Sequence, residues 1–296
     1  MADVTVGYSK HFGENVMMLA QQQGSRLRKA VDVETGLVGE EAFFDQVGET
    51  EGQEITVRYG DSPNNEVNED RRRIAPFDWD WGKLFDSIDK IRRLSDPTSE
   101  YVRAAAYSFG RKIDTTIIAA LGGTAYTGKA GTTAVALPST QKVAVNYTGA
   151  NAGLVLEKLI AARGIFGKND IDVDDPANKL YMVISQQQLN DMLKEEELTS
   201  ADYTNVKALV NGDINTFMGF EFIRTELLDL NASTDVRTCF AFCKSGLKLG
   251  IWKDIMSRIT ERADKKFMWY AYMRMAIGAT RMEEKKVVEI ACDESP

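Results

Sequence analysis

Residues 96–123 read DPTSEYVRAAAYSFGRKIDTTIIAALGG. Asp96 is a favourable N-cap and Pro97 suits the first helical position, where a backbone N–H has no partner to lose. Val102, Ala106, Phe109, Ile113, Ile117 and Ala120 then recur at spacings of three and four, the period of one buried helix face. Gly122 and Gly123 end the run, as glycines do at a helix C-terminus. The spacing predicts a helix over 97–121, about 25 residues and roughly 37 Å long. A helix of that length is a spine on which a domain is laid out.

The helix decides how the next residues are read. GTAYTGKA, 123–130, matches the phosphate-binding pattern G-x-x-x-x-G-K-[ST] at Gly123, Gly128 and Lys129, but Ala130 stands where a magnesium-binding hydroxyl belongs. Such a loop needs a strand before it and a helix after it, so that backbone N–H groups fan toward the phosphates. Here a helix precedes, and AGTT at 130–133 starts no helical period. The glycines read as a helix cap and a turn, with a nucleotide-dependent enzyme using Lys129 as the contrary reading.

Upstream the period changes to two. Ile55, Val57 and Tyr59 alternate with Thr56 and Arg58, and GDSPNN at 60–65 supplies turn chemistry. This is a long β-hairpin or extended loop over 44–80, charged near its tip by Glu66, Glu69, Asp70, Arg71, Arg72 and Arg73. A two-stranded ribbon is marginal in water, so it must lie on its own domain or on a neighbouring subunit. Its return end, FDWDW at 77–81, puts Phe77, Trp79 and Trp81 on one strand face, as core packing or as an interface anchor. Before the hairpin, residues 1–43 form a polar arm with Phe12, Val16 and Leu19 at helical spacing and a basic stretch, RLRK, at 26–29.

Downstream, 124–150 is rich in Gly, Thr and Ala, with one β-like stretch at 142–147. A second unit follows: a helix over 154–163, an apolar strand at 180–184, a helix opened by the capping box Ser185-x-x-Gln188, and strands at 220–225 and 238–242. Within it, NGDINTFMGFEFIRT at 211–225 reads as a turn at Gly212 and Asp213, a glycine at 219 that allows a bulge or close backbone approach, and a strand. FMWYAYMRMA at 267–276 is apolar on both strand faces and is expected to be covered on both sides. A final strand runs over 286–291, so one domain is expected to be interrupted by another.

Composition narrows the chemistry. The chain has 296 residues, 44% hydrophobic and 27% charged, with a net charge of -8, which suits a soluble globular protein and opposes an external nucleic-acid reader. His11 is the only histidine, which removes His-based triads and His-rich zinc sites. Cys239, Cys243 and Cys292 read as buried structural thiols. DIDVDD at 170–175 resembles the start of a calcium loop, but Asp175 holds the glycine position and Tyr181 the bidentate glutamate position, so it reads as a solvated loop. No membrane span or signal peptide is evident, and nothing demands catalysis, a cofactor or a metal.

Taken in order, the arm, the charged hairpin, the helix opened by Asp96 and Pro97, the module containing NGDINTFMGFEFIRTE (211–226), and the return through SGLKLGIWKDI (245–255) to FMWYAYMRMAIGATRM (267–282) resemble the major capsid proteins of tailed bacteriophages over nearly the whole chain. The resemblance implies an α+β fold with an arm at 1–43, an extended loop at 44–80, a peripheral domain at 81–149 and 246–296 carrying the spine helix, and an inserted axial domain at 150–245. It implies pentamers and hexamers closing into an icosahedral shell around double-stranded DNA, assembled in the host cytoplasm and ending in the virion. No charged helical pro-segment precedes the arm, so a separate scaffolding protein is expected, with a portal and a possible decoration protein as further partners. Subunit contacts are expected at Ile55, Val57, Tyr59, Arg71, Arg72 and Arg73 of the loop, at Trp79 and Trp81 of its return, and at Asp213 and Phe217 of the module. The fold is shared with encapsulins and the herpesvirus capsid floor, so a nanocompartment shell is the alternative within it.

Overall fold

The computed structural model describes residues 21–55, 58, 62, 64–85, 98–171, 175, 178–194 and 216–295. The first half contains strands β1 (Asp32–Thr35), β2 (Ala42–Val47), β3 (Glu69–Ile74) and β4 (Phe77–Phe85), then helix α1 (Thr98–Gly122), β5 (Ala125–Thr127), β6 (Thr133–Val135) and β7 (Lys142–Val143). The second half contains α2 (Leu156–Lys168), β8 (Leu180–Ile184), α3 (Gln186–Lys194), β9 (Thr216–Phe217), β10 (Phe220–Arg224), β11 (Leu230–Asn231) and β12 (Val236–Cys243). It ends with β13 (Leu247–Arg262), β14 (Met268–Arg281) and β15 (Val287–Asp293).

The spine helix forms over 25 residues, one residue out of step with the sequence expectation at each end; its expected cap, Asp96 and Pro97, lies outside the described residues. Phe109, Ile113, Ile117 and Leu121 are buried against the sheet β1-β13-β14-β4. Gly122 brings the helix end against the Phe240 ring of β12, so the same helix also meets the second sheet. The guanidinium of Arg281, fully buried, donates to the carbonyls of Leu121 and Gly123, both at 2.8 Å, and to Val135 at 3.2 Å. A cation placed there satisfies carbonyls that have no intrahelical partner and complements the negative end of the helix dipole.

The second sheet runs β7-β15-β12-β8-β10-β9, with β11 added on β12. All five residues of β8 are buried, as expected of an apolar run covered on both faces. The capping box at the start of α3 is formed: the Ser185 N–H donates to Gln188 Oε1 at 2.9 Å, and Ser185 Oγ accepts from the Gln187 N–H at 3.2 Å. Lys158 of α2 is buried and donates to the carbonyls of Ala152 (2.6 Å) and Ala291 (2.9 Å), while burial holds its pKa below the usual lysine range. The three cysteines are buried and unpaired, and burial pushes the Cys243 thiol up to about 12. Cys239 is raised too, so it and Cys243 stay protonated and unreactive in this sheet.

Four sequence expectations are altered. The hairpin β2–β3 is real, with register from Ala42↔Ile74 to Val47↔Glu69, but 77–81 is not its return: β4 pairs along β14 in the first sheet. The last strand, β15, pairs with β12 and so joins the inserted module's sheet rather than the sheet under the long helix. Gly219 makes no bulge; with Phe217 opposite Phe220 and φ of +51° at Met218 and +81° at Gly219, it closes a two-residue hairpin. Finally, β14 is covered on both faces from Met275 to Gly278 and again at Thr280 and Arg281, while the residues before Met275 alternate.

Candidate assembly surfaces

The hairpin is rooted in a third sheet, β2-β3-β5-β6, and that root sorts the three arginines by strand alternation. Arg71 and Arg73 point to one side. Arg71 pairs with Asp45 at 3.0 Å and lies over the Phe43 ring, and Arg73 pairs with Glu41 at 3.1 Å and lies 4.9 Å over the Tyr126 ring. Arg72 points inward and is buried. Its Nε donates to the Met282 carbonyl at 2.9 Å and its Nη2 meets Glu284 at 2.7 Å. Arg72 is therefore withdrawn from the expected contact set: its charge holds the hairpin root to the chain just after β14.

GTAYTGKA is the other half of this root. Gly123 closes on Ala119, Ala125–Thr127 and Thr133–Val135 form a hairpin, and no helix follows Lys129. The Gly128 N–H and the Thr127 hydroxyl point at Asp70 Oδ1, at 3.3 and 2.5 Å. A carboxylate of the same chain stands where a nucleotide loop would present its donors to phosphate, and the Thr127 hydrogen bond chiefly holds the Asp70 pKa below the usual carboxylate range.

The remaining expected contact residues are scattered. Ile55, in the segment between β2 and β3, is 87% exposed; Val57, Tyr59 and Asp213 lie outside the described residues. Trp79 and Trp81 are half-buried on β4 and pack against the core, with Lys112 Nζ 4.5 Å over the Trp79 ring. Phe217 is also half-buried against the core, beside the Met218–Gly219 turn. All three aromatics pack against the core of their own chain.

Two apolar surfaces are open, and the second includes the expected contact residue Trp79. One is the end of the β13–β14 hairpin, where Phe267 is 71% exposed near Ile259 and Trp269. The other is a groove of about 580 Å³ between α1 and β4, lined by Phe77, Trp79, Thr116, Ala119, Ala120 and Tyr126.

A third contact also went unforeseen: the arm is clamped on α1. Asp114 is fully buried and accepts from the N–H groups of Arg26 (3.0 Å) and Leu27 (3.1 Å), from Ser25 Oγ and from Gln22 Nε2. One turn earlier Gly110 leaves room for the backbone of Gly24, since a Cβ there would overlap it. The signal was present in the sequence as an aspartate on a helix flank next to the apolar stripe.

The sequence model of the phage capsid protein family matches residues 4–294. A search of curated proteins by sequence found no match. Among solved structures, the capsid of cyanophage P-SCSP1u is similar with a TM-score of 0.76 at 16% identity, over 99% of this chain and 95% of that one. The capsid of Ralstonia phage GP4 gives 0.74 at 10% identity over 100% of both chains, and that of cyanophage Pam1 gives 0.72 at 12% over 99% of both. At such identities these neighbours establish the fold, that of tailed-phage capsid subunits, and the match over 4–294 establishes kinship: the chain belongs to the phage capsid protein family.

Proposed function

We propose that this capsid protein assembles as pentamers and hexamers into an icosahedral shell enclosing double-stranded DNA. Family membership over nearly the whole chain carries the reading. It is supported by apolar residues left open on projecting elements, Ile55 on one hairpin and Phe267 on another, which repeated symmetric contacts would bury. The division into arm, extended loop, peripheral and axial regions follows the boundaries given above, with β7 and β15 completing the axial sheet. Within it the part of the loop beyond its root in β2 and β3 reaches over the adjacent subunit. A scaffolding protein directs closure in the host cytoplasm, a portal occupies one vertex, and decoration is optional. The net charge of -8 suits a wall that contains DNA without reading its sequence.

Electron microscopy of the expressed protein tests this directly. Closed shells are expected, and strictly monomeric particles overturn the reading. Nuclease-protected DNA inside native particles separates a virion shell from a nanocompartment, which would hold protein cargo instead.

A further inference from the structure

We propose that subunits join head to tail through one continuous sheet: the outer edge of β4 in one copy pairs, in parallel, with residues 256–262 of β13 in a neighbouring copy. The first sheet, β1-β13-β14-β4, ends in two unlike edges. On one side β1 covers β13 only over Lys248–Ile251, and the Gly36 and Leu37 N–H groups close on Ile251 O. Past two register shifts β13 is regular again from Met256 to Arg262, and every residue from Met256 to Glu261 is exposed. On the other side all nine residues of β4 pair with β14 and, among the described residues, with no further strand. Unpaired edges of this kind are templates for another strand.

The two edges match in direction and in face. Both β4 and β13 run antiparallel to β14, so they point the same way, and a neighbour placed by continuing the sheet brings its β13 beside β4 in parallel. β1 already lies parallel on that edge of β13, so the incoming β4 extends the line that β1 begins. Across β14, Asp80 is level with Met256, Gly82 with Arg258, and Lys83 with Ile259. Alternation therefore puts Asp80 and Arg258 on one side of the sheet, and Trp81, Lys83, Ile259 and Glu261 on the other, where α1 lies.

Chemistry selects one register. With Trp81 opposite Ile259 of the neighbour, Asp80 stands opposite Arg258 and Lys83 opposite Glu261, while Gly82 meets Thr260. Among the described residues Asp80, Arg258 and Glu261 make no ion pair in their own chain, and Lys83 lies over the Tyr101 ring. Ile259, 53% exposed in the single chain, gains an apolar neighbour in Trp81. A slip of one residue sends the opposed charges to opposite faces, and a slip of two parts Asp80 from Arg258 and Lys83 from Glu261. The contact joins two different patches, so every copy gives one edge and receives another, and its repetition closes a ring. It rests on the reading of the chain as a shell subunit.

The test is the full chain carrying Asp80→Cys and Arg258→Cys together, assembled and treated with bismaleimidoethane; the native thiols are buried. A ladder of covalent dimers, trimers and larger species is expected, because each copy offers two different sites, and either substitution alone should leave monomers. Closed shells that yield only monomers from the double variant overturn the proposal, as does a covalent dimer from either single variant, the mark of a two-fold contact. Charge reversal decides independently. Asp80→Arg should cut the yield of closed shells roughly tenfold or more with melting unchanged, and adding Arg258→Asp should restore most of it. Normal shells from the single reversal, or no recovery in the double, also overturn the contact while leaving the proposed function standing. No assembly by the unaltered chain would remove that function and this contact with it.

Discussion

Arg281, at the end of β14, donates to the carbonyl of Leu121 at the end of α1 at 2.8 Å, although 160 residues separate them. The same side chain approaches Glu284 at 3.6 Å, and Glu284 also receives Arg72 from the hairpin root. One half-buried carboxylate and two buried guanidinium groups therefore join the spine helix, the long hairpin and the first sheet at a single point. Replacing Arg281 with Met should destabilise the subunit by about 3 kcal/mol, since it leaves helix-end carbonyls without donors and takes one of two nearby cations from Glu284. Lysine should recover little, because a point charge cannot serve several carbonyls as a planar fork does. Urea unfolding of the subunit measures both, and a wild-type midpoint for the Met variant would remove this role.

Asp114→Asn should release the arm. The amide keeps one acceptor oxygen but presents an NH₂ to backbone N–H donors, a change worth about 2 kcal/mol. Limited trypsin digestion reads the outcome, because Arg26, Arg28 and Lys29 lie in or next to the clamped segment. Faster cleavage there, with α1 otherwise intact, is expected; an unchanged digest would show that the clamp does not depend on the charge.

Gly219→Val should cost about 2 kcal/mol. The φ of +81° is strained for a β-branched residue, and the new Cβ would sit 3.0 Å from Arg163 Nη1. Asparagine, which tolerates that region, should cost less. Thermal unfolding distinguishes the two, and equal melting of the Val and Asn variants would dismiss the backbone argument.

Deleting residues 50–66 should leave a folded subunit that builds few closed shells. The root is already joined at Gly48, whose N–H donates to Asn68 O at 2.7 Å, so the deletion spares β2, β3 and Arg72. Calorimetry should match the full chain while electron microscopy shows assembly failure. Normal shells would mean that the loop tip carries no contact.

Acid should loosen the second sheet at its edge with α3. Burial raises the pKa of Glu294, but hydrogen bonds from Arg237, Gln188 and Ser185 outweigh it, leaving the carboxyl below the usual glutamate range. A carboxyl lowered in the fold contributes stability above its unfolded pKa, and that contribution disappears as pH falls through the folded value. Stability should therefore drop below about pH 4.5. Glu294→Gln should be less stable at neutral pH and show a shallower acid decline, and an identical decline would clear Glu294 of any part in it.

Much of the frame was legible because it is local. The spine helix announced itself by period and α3 by its capping box. A hairpin was expected over 44–80, but its paired strands are Ala42–Val47 and Glu69–Ile74, while Ile55 of the alternating stretch lies in no strand and Val57 and Tyr59 lie outside the described residues. What escaped depends on distant partners. FDWDW alternates like a hairpin strand, and only its pairing with β14, nearly two hundred residues later, places it under the helix. Arg72 sits in a run of charge that reads as solvated, yet strand alternation turns it alone inward. Met218 at positive φ is an uncommon first residue for a two-residue hairpin turn, where Asn and Asp are favoured, so Gly219 suggested a bulge. Of the expected contact residues, the exposed Ile55 and the half-exposed Arg71 kept surface to offer, while Trp79, Trp81 and Phe217 are engaged by their own core.

The place of β15 has a consequence for quality control during synthesis. That strand lies between β7 and β12, and both neighbours are made earlier. A polypeptide cut short before residue 287 would leave β7 unpartnered and the apolar edge of β12 open, without the Ala291 carbonyl that Lys158 requires. Truncated copies therefore cannot complete the sheet. In a lattice that reuses one subunit many times, they would be sorted out by misfolding before they could poison a growing wall.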